Sequence, residues 1–140
     1  MPASPQSLGR TRAISRVLGP FLAIVPTIIA IRAPDMGEIA HAFFQNSALV
    51  WITGGFLVFG GLAIIAFHQY WSSVAAVIIS VFGWILLLRG LVLLAAPQLY
   101  EQASNATAGS MPFIRAVFGV IVLCGLWLTY TGWKPLRAAD

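Results

Sequence analysis

The chain has 140 residues, of which 59% are hydrophobic and only 9% are charged. A soluble domain carries about 25% charged residues, and a domain this small must leave much of its surface in water. The composition therefore excludes a soluble globular protein and a disordered one, and it indicates a membrane protein. The net charge of +4 comes from scattered basic residues without a dense run, so the sequence predicts no nucleic-acid binding.

Four apolar segments predict four transmembrane helices, because about 20 apolar residues in a helix cross a bilayer core of about 30 Å. The predicted spans are residues 17–31, 47–67, 74–95 and 113–131, and residues 1–15 before them are predicted to be a flexible basic tail. A secretory signal peptide is the competing interpretation of the first span. Pro20 and Pro26 interrupt its apolar stretch, which favours a retained helix.

The two longer connections differ in pattern. Between the first and second spans, Met36, Ile39, Ala40 and Phe43 have a helical spacing that predicts a short helix along the membrane surface. Residues 97–112 are polar and rich in small side chains, which predicts a flexible loop. The predicted fold is all-α, with residues 1–140 forming a single membrane domain: an antiparallel, up-down four-helix bundle with a short interfacial helix between spans one and two.

Basic residues flank both ends of the predicted bundle: Arg10, Arg12, Arg16, Lys134 and Arg137. Cytoplasmic segments carry an excess of Lys and Arg, so both termini are predicted to be cytoplasmic. The short turn between the second and third spans is then cytoplasmic as well. It places His68, Tyr70 and Trp71 at the inner boundary of the membrane, a depth that Tyr and Trp prefer.

Small residues recur every seven positions in the second span, at Ser47, Gly54 and Gly61. Such a face lets another helix approach closely. The first interpretation is packing within the chain, against the first or fourth span. The alternative is a docking face for a partner subunit.

Arg89 is the one charged residue well inside a predicted span. Two other basic residues and three acids are predicted near the same side of the membrane: Arg32, Arg115, Asp35, Glu38 and Glu101. One interpretation is a set of ion pairs that fixes helix register. The other is a site in the outer leaflet, built by Arg89, Arg115 and Arg32, for an anionic lipid headgroup or a small anion.

Other chemistry finds no support in the sequence. His41 and His68 are predicted on opposite sides of the membrane, too far apart to share a haem or a metal. No acid lies within a span, which argues against proton-coupled exchange, and Cys124 is the single cysteine. The sequence therefore predicts no enzyme, no catalytic residue, no metal and no cofactor.

Two motifs carry a family resemblance. The turn Phe67-His68-Gln69-Tyr70-Trp71, followed by Gly83-Trp84 and Arg89-Gly90, resembles a group of small four-helix bacterial inner-membrane proteins. That group usually has a His-Asn-x-Trp turn, so Gln69 departs from its pattern. The resemblance implies a four-helix fold and a bacterial inner-membrane location, and it implies no activity because the group is functionally uncharacterised. Its polar positions map to His68 and Arg89, near opposite faces of the membrane, which implies structural roles.

The predicted function is that of a non-enzymatic accessory, assembly or scaffold component that acts through helix–helix and lipid contacts. Its expected partners are membrane lipid and either another membrane subunit or a second copy of the chain. The alternative is a small oligomeric transporter or channel that prefers anions, because four helices enclose little space and Arg89 is basic.

Overall fold

The computed structural model describes residues 5–108 and 110–134. Within these ranges the chain is entirely helical, with six α-helices, one 3-10 turn at Ala33–Asp35 and no strand. The helices are α1 (Pro5–Ile31), α2 (Met36–Gln45), α3 (Ser47–Phe67), α4 (Val74–Ala95), α5 (Pro97–Ala108) and α6 (Met111–Trp133).

Four helices, α1, α3, α4 and α6, are long and apolar enough to cross a membrane. Only 11% to 28% of the most apolar stretch of each is buried inside the protein, so most of their apolar side chains face outward. On α3, for example, Phe56 and Phe59 are each 72% exposed. An apolar surface of this extent is stable against lipid rather than water. The four helices therefore indicate a multi-pass membrane protein.

Helix α1 begins at Pro5, so the predicted flexible tail is wrong for residues 5–15, which form the first turns of the helix. Ser7, Thr11 and Ser15 are buried along one face of this extension. On another face, the Arg12 side chain donates to the carbonyl oxygen of Gly132 over 3.1 Å. The burial of these three side chains and the hydrogen bond of Arg12 hold residues 5–15 against the rest of the protein, although the segment is polar. The rest of the predicted tail, residues 1–4, lies outside the described residues.

The prediction of a flexible loop after the third span is also wrong, because residues 97–108 form α5. Pro97 occupies the first helical position, where its fixed φ suits the helix and its missing N–H costs nothing. The segment has no strong apolar stripe, so the sequence pattern gives little sign of this helix. The helix predicted between the first two spans is confirmed as α2.

Helices α3 and α4 pack through glycines on both sides. A Cβ added at Gly61 would lie 2.5 Å from the backbone nitrogen of Leu87 and 2.9 Å from the carbonyl oxygen of Gly83. Gly54 of α3 and Gly90 of α4 make a second contact of the same kind, seven residues away along each helix. A Cβ added at Gly90 would lie 2.9 Å from the Gly54 carbonyl oxygen. The backbones meet at these points because neither helix has a side chain there.

This contact decides which helix the small-residue face meets. Gly54 and Gly61 pack within the chain, but against α4 and not against the first or fourth span as the sequence analysis expects. Ser47, the third member of the pattern, is exposed at the start of α3 and lies outside the contact.

Helices α1 and α6 form the second close pair. A Cβ added at Gly125 would lie 2.5 Å from the backbone nitrogen of Ala23, and one added at Gly19 would lie equally close to the backbone nitrogen of Thr129. Gly132 continues this contact toward Arg16. Each long helix therefore has one closely packed partner.

The two pairs meet in one half of the protein. A core cluster joins α1, α4 and α6 through Leu18, Leu22, Ala75, Ile79 and Leu128. This half includes the turn of residues 68–73, and we call it the turn end. The opposite half carries α2, α5 and the 3-10 turn, and we call it the α2–α5 end. There the two pairs are separated by a cavity.

Candidate ligand cavity and buried histidine cluster

The cavity at the α2–α5 end has a volume of about 680 Å³. This volume lies in the range of small-molecule sites, about 300–1,000 Å³. Residues of α1, the 3-10 turn, α2, α4, α5 and α6 line it. The lining residues are Ile29, Ala33, Pro34, Met36, Gly37, Ile39, Ala40, Phe43, Arg89, Tyr100, Ala103, Ser104, Asn105, Met111, Ile114 and Phe118.

Polar and apolar side chains divide this lining. The polar side chains come from α4 and α5: Arg89, Tyr100, Ser104 and Asn105. Tyr100 and Ser104 are four residues apart and therefore lie on the same face of α5. The lining from α1, the 3-10 turn, α2 and α6 is apolar. The cavity therefore has a polar wall and an apolar wall.

Arg89 is the charged residue of the polar wall, and Tyr100 is its partner. The Arg89 guanidinium donates a hydrogen bond to the Tyr100 hydroxyl. Its Cζ also lies 5.4 Å from the centroid of the Tyr100 ring, in cation–π geometry. The same ring lies 6.1 Å from the ring of Phe44, which connects α5 to α2. Tyr100 thus joins three helices at the edge of the cavity.

The other charged residues predicted at this level do not form the expected network. The one ion pair within residues 5–108 and 110–134 joins Arg32 to Asp35 over 3.3 Å, with both side chains more than half exposed. Pairs of this kind contribute little to stability. Arg32 and Arg115 are exposed and do not line the cavity. Glu38 is exposed and Glu101 half-buried, and neither forms an ion pair in the described part of the chain.

A second polar site lies at the turn end, where His68 is completely buried. Its Nε2 lies 2.9 Å from the Thr11 hydroxyl oxygen. Because Thr11 donates its single hydroxyl proton to the Ser7 carbonyl oxygen over 2.8 Å, Nε2 carries the hydrogen of the histidine contact. Its Nδ1 faces Ser80 at 3.4 Å, and Ser80 donates to the Tyr70 carbonyl oxygen over 3.0 Å. These bonds connect α1, α4 and the turn.

Burial lowers the pKa of His68 below its ordinary value near 6.5, because the charged imidazolium loses solvation. A hydrogen bond from the imidazole to its own backbone opposes this lowering of the pKa in part. The edge of the Tyr70 ring packs on the imidazole, with centroids 5.3 Å apart. Among the described residues, the Oγ of Ser15 is buried without a hydrogen-bond partner, one turn beyond Thr11 on the same face of α1. The site therefore favours a neutral imidazole.

The structure places the other predicted residues of the turn apart from this cluster. Trp71 is 58% exposed, whereas Tyr70 is half-buried against His68. His41 is exposed on α2. No group of three or more His, Cys, Asp or Glu side chains that could hold a metal occurs in the described part of the chain.

Sequence reasoning identified Arg89 and His68 but missed their partners. The missing partners are Tyr100 for Arg89 and Thr11 and Ser80 for His68. The spacing of four between Ser7, Thr11 and Ser15 is the signal that could have indicated a polar helix face.

No known protein family, curated protein or solved structure matches this chain. The resemblance based on the two motifs therefore stays a prediction.

Proposed function

We propose that this chain is a non-enzymatic integral membrane protein that binds an anionic membrane ligand in the cavity and works as an accessory or assembly component. In this proposal the long helices form an antiparallel bundle, with both termini on the cytoplasmic side of a bacterial inner membrane. The glycine contacts support the antiparallel arrangement, because residue numbers rise along α3 while those of its contacts on α4 fall.

The observation that carries this proposal is Arg89 on the wall of a largely apolar cavity. An arginine in a membrane helix costs about 2.5–3.5 kcal/mol at the helix centre on insertion scales, and less where its side chain extends toward the membrane boundary. Its contact with Tyr100 offsets part of that cost, since cation–π interactions contribute about 0.5–2 kcal/mol. An anion at the guanidinium would offset the remainder, which makes the cavity a favourable place for a negatively charged group.

The test compares Arg89→Leu with Arg115→Leu, because Arg115 is exposed on α6 and does not line the cavity. Each variant is purified in mild detergent, and its bound anionic phospholipid is counted by native mass spectrometry. Loss of one charge-assisted contact predicts about ten-fold lower retention for Arg89→Leu and unchanged retention for Arg115→Leu.

Arg89→Lys keeps the charge and controls for folding, so it is expected to retain more anionic lipid than Arg89→Leu. Equal retention by all three variants and the unmodified protein would contradict the proposal.

The second candidate, an oligomeric anion pathway, is favoured by the exposure of Arg89 to the cavity. The core cluster at the turn end closes that half of a single chain, so such a pathway would have to run between copies of the protein. Anion flux through liposomes that contain the protein, abolished by Arg89→Leu and not by Arg115→Leu, would favour the pathway over a binding site.

A further inference from the structure

The polar and apolar parts of the cavity lining together restrict the class of ligand more than the charge of Arg89 does alone. Much of the apolar lining comes from Met36, Ile39 and Phe43 of α2 and from Ile114 and Phe118 of α6. A small inorganic anion at Arg89 would leave this surface uncovered. A ligand with a hydrocarbon chain would cover it, because its methylene groups would make van der Waals contacts with the apolar side chains of the lining.

The polar wall provides donors for one anionic group. A guanidinium carries five N–H donors, and the hydrogen bond to Tyr100 uses one of them. Arg89 precedes the end of α4 at Ala95 by six residues, about 9 Å at helical rise. A headgroup at the membrane boundary can reach this depth, since a long arginine side chain extends toward the boundary.

We propose that the cavity holds one acyl chain of an anionic membrane amphiphile, with its carboxylate or phosphate on Arg89 beside the Tyr100 hydroxyl. This inference rests on the proposed function and deepens it by naming the ligand class. The acyl chain lies against the apolar wall of α2 and α6, and the volume of about 680 Å³ suits a single chain.

The test places a larger side chain in the apolar wall and leaves Arg89 unchanged. Ala40 of α2 lines the cavity, whereas Ala42 of the same helix is exposed and does not line it. The purified protein is titrated with palmitate, with lysophosphatidylglycerol and with inorganic phosphate, and binding is followed by native mass spectrometry. Ala40→Phe is expected to weaken binding of the two amphiphiles by about ten-fold, and Ala42→Phe is expected to leave it unchanged.

The three probes distinguish the sources of the anion. Binding of palmitate alone assigns a carboxylate headgroup, and binding of lysophosphatidylglycerol alone assigns a phosphate headgroup; either result supports the inference. Inorganic phosphate that binds as tightly as the amphiphiles would overturn it, because the apolar wall would then contribute nothing.

A measurement on the unmodified protein covers the case in which Ala40→Phe fails to fold. A photoactivatable diazirine analogue of palmitate is cross-linked in detergent, and the adducts are mapped by mass spectrometry. Adducts on Met36 and Phe118 support the inference. Adducts confined to the outward-facing Phe56 and Phe59 of α3 would overturn it.

The outcomes for the two proposals are separable. If Arg89→Leu loses anionic lipid and Ala40→Phe does not, the ligand is held by its headgroup alone. The proposed function then stands while the acyl-chain inference fails. If neither variant changes binding, both proposals fail.

Discussion

At the scale of single residues, His68 and Arg89 show what a sequence pattern can and cannot locate. Arg89 was identifiable because it is the one charge well inside a predicted span, and it lies on the cavity wall. Arg32 and Arg115 share its predicted depth but are exposed and lie outside the lining. Helix α5, which was predicted to be a flexible loop, contributes Tyr100 to the polar wall. His68 was predicted at a membrane boundary, yet its burial depends on the unforeseen extension of α1.

The buried histidine predicts a stability that depends on pH. Because its pKa is lowered in the folded protein, the unfolded protein binds the proton more readily. The stabilising contribution of neutral His68 is complete above about pH 6.5, the ordinary pKa of histidine. It is lost as the pH falls through the lower pKa that His68 has in the folded protein. We expect the Tm in detergent to decrease from pH 8 toward pH 5, and differential scanning fluorimetry measures it.

His68→Gln keeps hydrogen-bonding groups without titrating in this range, so its Tm is expected to vary less with pH. The control is His41→Gln, which replaces an exposed histidine and should preserve the pH dependence of the unmodified protein. If the Tm of His68→Gln falls with pH as steeply as that of the unmodified protein, groups other than His68 cause the pH dependence.

At the scale of the elements, the helices of the central hairpin were predicted residue for residue. Spans 47–67 and 74–95 coincide with α3 and α4, and α6 extends two residues beyond each predicted end. Apolar length carries this information directly. The helix that Gly54 and Gly61 pack against was predicted wrongly, because α3 and α4 are apolar on all sides and the pattern of hydrophobic residues does not show which faces meet.

The close α3–α4 contact predicts unequal effects of two glycine substitutions on the same helix. Gly61→Ala places a methyl group against the backbone of α4, and we expect a loss of about 1–3 kcal/mol from the free energy of unfolding. Gly55→Ala meets no atom within 4 Å and is expected to be neutral or slightly stabilising, because alanine favours the helix. Thermal unfolding in detergent compares the two variants.

The same comparison on α6 uses Gly125→Ala, which meets the backbone of α1, and Gly119→Ala, which meets no atom within 4 Å. If Gly61→Ala is as stable as Gly55→Ala, and Gly125→Ala is as stable as Gly119→Ala, then neither helix pair is packed as closely as in the structure.

At the scale of the whole molecule, two closely packed helix pairs share a core at the turn end and separate around the cavity at the α2–α5 end. The all-helical class and the four apolar helices follow from composition. The position of the cavity does not, because it depends on how the two pairs are arranged and on two connecting helices, α2 and α5, that contribute to its lining. Such an arrangement is set by packing between segments distant in the sequence.

The proposed topology predicts that both ends of the bundle face one compartment. After Cys124→Ser, single cysteines are introduced as Gln6→Cys, Lys134→Cys and Gln102→Cys, all at exposed positions. A membrane-impermeant maleimide applied to intact bacterial spheroplasts is expected to label the cysteine at position 102. It should label those at 6 and 134 only after permeabilisation. Labelling of 6 and 134 from different sides would contradict an even number of spans.

The pairing of α1 with α6 also bears on how the protein is made. Helix α1 emerges from the ribosome before α3 and α4, and its close-packing partner α6 follows them. The two helices of the α3–α4 hairpin, by contrast, are synthesised one directly after the other. During biosynthesis, the side of α1 that carries Gly19 therefore waits in the bilayer or beside the insertion machinery until α6 arrives.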